Sequence, residues 1–125
     1  MKITKIFFHF INILFIIFYI YPGSIFGYLI YGDLSKQPQV TPDFYFSSNH
    51  VYALFIVSFL GLISNTNKKF YTIYFIFLSI FLELSHIIIP NRSFQFEDLF
   101  GNILGVLISI IIIKLYYYLE KNEFI

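Results

Sequence analysis

The chain has 125 residues, 58% of them hydrophobic and 12% charged, about half the charge of an ordinary soluble domain. Eight basic and seven acidic side chains leave a formal charge of +1, so no broad field draws it to nucleic acid. Cysteine is absent, which excludes disulfides and thiolate metal sites.

The first apolar window, residues 6–32, carries no Asp, Glu, Lys or Arg and follows Lys2 and Lys5. Two lysines before an apolar run imitate a secretory signal, but no two small residues here have the spacing of a cleavage site. The expectation is an uncleaved first helix over about residues 5–22. From Pro22 to Phe46, glycines and prolines break regular structure, and the apolar piece Ile25–Tyr31 is expected at a membrane interface. Residues 44–67 are again free of charge, and residues 70–91 carry only Glu83. Residues 99–113 are free of charge before Lys114, which can reach the surface along its own stem. Since about 20 apolar residues span a bilayer, three further helices are expected at about 47–65, 70–89 and 98–119. The fold class is therefore all-α: a polytopic membrane protein, one domain over 1–125, with four transmembrane helices.

Charge sets the expected orientation. Lys2, Lys5, Lys68, Lys69, Lys114 and Lys121 fall at the two termini and the second turn, whereas only Lys36 and Arg92 fall in the other two loops. The positive-inside rule then places both termini in the cytoplasm, and the two remaining loops outside.

This topology gathers the ionisable residues at the outer end. His50 begins the second predicted helix, Glu83 and His86 finish the third, Arg92 lies in the following loop, and Asp98 and Asn102 begin the fourth. Ser79, Glu83 and His86 share one helical face, and Asp98, Asn102, Gly105 and Ser109 share another. Polar and small residues on Ile-, Leu- and Phe-rich helices should face protein, so the two stripes are expected to pack together under Arg92. Taken singly, Asp98 reads as a helix cap, Asn102 as an interhelical bond and His50 as structural. Glu83 is harder to explain that way, because a buried carboxylate needs a partner or a proton.

The stretch ELSH…NRSFQFEDLFGNILG resembles the signature of the VanZ-like membrane protein family. Glu83, Arg92, Phe94, Asp98, Asn102 and Gly105 match it in order and spacing, and His50 with Tyr52–Gly61 resembles the family's earlier motif. The chain departs from the pattern at His86, where the family carries Gln, and at Phe46 and Ser47, where it carries an Asp-Lys pair. The resemblance implies a multi-pass protein of the bacterial cytoplasmic membrane and a cell-envelope role linked to resistance to the glycopeptide teicoplanin.

Two functions remain open from the residues. In the first, His50, Glu83, His86, Arg92, Asp98 and Asn102 organise a site for an anionic or lipid-linked envelope ligand, or for a partner membrane protein, with Arg92 holding the anion. In the second, Glu83 or His86 is the acid or base of an enzyme acting on a lipid headgroup or lipid-linked precursor. Membrane lipids are the expected surroundings. No cofactor is expected, and no metal either, since the possible ligands form no compact motif.

Overall fold

The computed structural model describes residues 2–123, with side chains through residue 121. It contains five helices and, among the described residues, no strand: α1 Lys2–Ile20, α2 Ile25–Tyr31, α3 Ser48–Ser64, α4 Lys68–Ser85 and α5 Phe96–Glu123. Four of them match the expected long helices to within a few residues at most ends. The short α2 forms inside the segment expected as an irregular interfacial connection. Local chemistry explains it: the Ser24 hydroxyl accepts from the Gly27 amide at 2.9 Å, and Gly32 closes the far end in the left-handed conformation at φ 68°.

The starts of α3 and α4 also have side-chain acceptors. Asp43 Oδ1 accepts from the Ser48 amide at 2.8 Å, ahead of α3, and Asn67 Oδ1 accepts from the Phe70 amide at 3.1 Å, ahead of α4. Asn91 takes φ 59° in the turn after Pro90, a conformation that asparagine tolerates better than most residues.

The core is a column of Phe8, Leu54, Val57, Phe75, Leu78, Leu82 and Val106 contributed by all four long helices. The most extensive helix pair is α3 with α5, ahead of α4 with α5. The α5 stripe, expected to pack against the α4 stripe, thus meets α3 more extensively than α4. A Cβ on Gly105 would collide with the Val51 carbonyl oxygen, and one on Gly101 would lie 2.6 Å from the Ser47 carbonyl oxygen. The two glycines thus let the α3 backbone settle directly onto α5. Ser109 continues the same seam, bonded to Ser58 Oγ at 2.7 Å and to the Phe55 carbonyl at 2.9 Å. The α4 stripe meets α5 chiefly through Asn102, which donates to the Ser79 carbonyl at 3.4 Å.

Among the described residues two helices are long and apolar enough to cross a membrane, Lys2–Ile20 and Phe96–Lys121, and only 17% and 33% of their most apolar 18-residue stretches are buried. α3 is a shorter apolar helix, and α4 carries Lys68, Lys69 and Glu83 within its 18 residues.

Candidate functional site

Helix ends meet at one end of the bundle. α1 and α4 finish there and α3 and α5 begin there, which brings Tyr19, His50, Glu83, His86, Asp98 and Asn102 together. The centre is the Tyr19 hydroxyl, which no sequence pattern had singled out. It donates to Glu83 Oε2 at 2.8 Å, accepts from Asn102 Nδ2 at 2.6 Å and lies 2.8 Å from His50 Nδ1. The ring also has fixed neighbours: it stacks on His86 with centroids 4.8 Å apart at 14°, and meets the edge of His50 at 5.3 Å and 81°.

Hydrogen-bond chemistry then orients each group. Because Asn102 Nδ2 donates to Tyr19 and to the Ser79 carbonyl, its Oδ1 is the atom 3.1 Å from His50 Nδ1. An amide oxygen only accepts, so His50 Nδ1 carries a hydrogen. By the same reasoning His86 Nε2 donates to the Tyr19 carbonyl, 3.1 Å away. The remaining nitrogen of each ring faces a carboxylate: His50 Nε2 lies 3.4 Å from Asp98 Oδ2, and His86 Nδ1 lies 3.5 Å from Glu83 Oε1.

Glu83 is fully buried and accepts from the Gln95 amide at 3.0 Å as well as from Tyr19, so it ties the end of α4 to the approach to α5. Asp98 lies in the first turn of α5, and its carboxylate meets His50.

Arg92 stands apart from this network. Its guanidinium donates to the Gly23 carbonyl at 2.6 Å and the Tyr21 carbonyl at 3.3 Å, closing the loop onto the end of α1 and forming no ion pair with Glu83 or Asp98. Burial pushes its pKa down from the ordinary arginine value, against the attraction of nearby acidic groups.

Two cavities adjoin the network. The larger, about 460 Å³, has walls that include Phe15, Phe18, Ile25, Phe26, Ile30 and Val40. Tyr19, His50, His86 and Arg92 form its polar edge. The smaller, about 220 Å³, is lined mainly by polar residues that include Ser35, Asn91, Ser93, Gln95 and Asp98. Ser24, Gln37, His86 and Arg92 line both, so an apolar chamber and a polar annex share one wall.

Of the six residues expected at the site, the fold brings His50, Glu83, His86, Asp98 and Asn102 into one network and sets Arg92 between the cavities. Tyr19 escaped notice as one of 11 tyrosines. Its signal was spacing: Phe8, Asn12 and Tyr19, the buried residues of α1, lie on one helical face. No family model, no curated protein and no solved structure matches this chain.

Proposed function

We propose that this is a VanZ-like membrane protein whose outer-end site binds an amphiphile, an anionic or lipid-linked envelope molecule. In this reading the apolar chamber takes the hydrocarbon part and the polar annex takes the headgroup. The observation that carries it is the shared wall: the two cavities have complementary linings and meet at Arg92 and His86. The larger volume lies within the roughly 300–1,000 Å³ common for small-molecule sites. Arg92 spends two N–H donors on carbonyls, and the rest of its five-donor fork can serve an anionic oxygen.

Four crossings, with both termini in the cytoplasm, complete the reading. Exposed apolar side chains on every long helix support it, among them Ile13 and Ile17 on α1, Ile56 on α3, Phe77 and Phe81 on α4, and Ile111 and Leu115 on α5. Membrane-impermeant thiol labelling of single cysteines at positions 36, 68 and 92 tests it. Labelling from outside at 36 and 92 but not at 68 is expected, and the reverse would overturn the topology.

Mass spectrometry of lipids retained by the full-length protein in mild detergent tests the ligand. Enrichment of an anionic amphiphile over the bulk membrane extract is expected, reduced in Arg92→Gln. A lipid profile identical to the bulk extract would overturn the reading. A link to teicoplanin resistance requires that deletion change susceptibility. The enzyme reading rests on His86 Nδ1 standing 3.5 Å from Glu83 Oε1 beside both cavities, and turnover of labelled lipid-linked precursor would select it.

A further inference from the structure

We propose that His50, Glu83 and Asp98 form a binding site for a divalent transition-metal ion of the zinc type, with Tyr19 and Asn102 orienting the histidine. The site needs no lipid to fill it, so it stands or falls separately from the amphiphile reading.

Geometry comes first. One atom from each of α3, α4 and α5 is offered, and the three lie within 4.8 Å of one another. Zinc holds nitrogen and oxygen at about 2.0–2.2 Å, which puts ligands around a tetrahedral ion roughly 3.3–3.6 Å apart. His50 Nε2 and Asp98 Oδ2 already stand at 3.4 Å. The widest spacing, up to 4.8 Å, must close by about 1.2–1.5 Å to reach that geometry.

Proton positions point the same way. His50 Nδ1 carries its hydrogen toward Asn102 Oδ1, which leaves Nε2 as the ring nitrogen facing Asp98 Oδ2. A cation placed between those two atoms would be held by both. A histidine whose other ring nitrogen donates to a fixed oxygen is the usual arrangement at a metal, because that bond sets the tautomer and ring orientation.

Charge supports it further. Glu83 and Asp98 bring two carboxyl groups to one buried end of the bundle, and Arg92 is bonded to carbonyls instead of to either of them. One divalent ion would balance both carboxylates. An imidazole with two carboxylates and no thiolate suits zinc, manganese or iron better than soft copper. Three protein ligands leave a coordination position open, as at catalytic zinc. Asp98 lines the polar annex, so water or an anionic oxygen entering there can fill that position. The competing arrangement is a pair of imidazolium–carboxylate contacts, His50 with Asp98 and His86 with Glu83, which takes up no metal.

Titrating the chelator-stripped, full-length protein in mild detergent with cobalt(II), then zinc, separates the two. A visible ligand-field band saturating near one cobalt per chain and displaced by zinc is expected. Asp98→Asn should weaken zinc by at least ~100-fold, and Tyr19→Phe, which removes a hydroxyl bonded to Glu83 and beside His50, by ~10–100-fold. Absence of the band with no zinc retained through gel filtration would overturn the site. Undiminished binding in a folded Asp98→Asn variant would overturn it too. Zinc-edge X-ray absorption on the unmodified protein decides without any variant: a shell of one imidazole and oxygen ligands supports the assignment, and any other shell refutes it.

Discussion

At the end of the bundle where α1 finishes, four helices meet through directional bonds; at the opposite end the same helices meet mainly through rings and aliphatic chains. Tyr19, His50, Glu83 and Asn102 supply one side chain per long helix to a single hydrogen-bond network. At the far end Phe8 meets the edges of Tyr71 and Phe75 at 5.5 and 6.0 Å, and Asn12 Nδ2 donates to the Tyr74 hydroxyl at 2.6 Å. Apolar packing of this kind tolerates changes of shape so long as volume is conserved. A buried polar network does not, because removing one member strands its partners in a low-dielectric interior. One end therefore sets helix register and side-chain geometry, and the other supplies contact area.

The contrast is sharpest at Glu83. Replacing it with Leu keeps the volume but leaves the Tyr19 hydroxyl and the Gln95 amide without their acceptor. The expected loss is about 3 kcal/mol or more, the desolvation cost of two stranded donors. Thermal unfolding in detergent should show a large fall in midpoint, with Glu83→Gln well above Glu83→Leu because it keeps an acceptor oxygen. Equal midpoints for the two variants would mean that the carboxylate contributes only its shape.

Tyr19→Phe comes next, at about 1–3 kcal/mol, because it removes the hydroxyl on which Glu83, Asn102 and His50 converge while the ring stays in place. The same unfolding measurement checks it. A change within error would show that the three partners close around the gap by themselves.

Much of this contrast was readable from residue type and spacing. Windows free of charge apart from Glu83 located the four long helices, and the polar positions within them pointed to the end where they would meet. Glu83 and Asn102 stood out because each is a polar residue on an apolar helix. Tyr19 did not, since a phenol is as much at home in an apolar run as in a polar network, and only the partners it finds in the fold decide its role. Arg92 was legible only in part: its place in the loop was expected, but not that its guanidinium is held by the Tyr21 and Gly23 carbonyls just past the end of α1. The helix pairing was hidden too: Gly101 and Gly105 announce a close approach but not which helix makes it. The small α2 depends on a cap and a left-handed glycine, signals too local to weigh against a segment broken by prolines.

The smallest effect belongs to the apolar end and tests the contrast from the other side. Phe75→Leu removes part of a fully buried ring from the cluster with Phe8 and Tyr71, and neighbouring side chains can move into some of the space. The expected cost is about 1–1.5 kcal/mol, at the lower end for core truncations because an aliphatic side chain still fills most of the site. Phe75 lines neither cavity, so lipid retention and metal uptake should stay as in the unmodified protein. A Phe75→Leu variant that unfolds with a small drop in midpoint yet keeps its ligands would separate the two ends energetically. A loss of either ligand would show instead that the aromatic cluster transmits its packing along α4 to Glu83, and that the bundle acts as one unit.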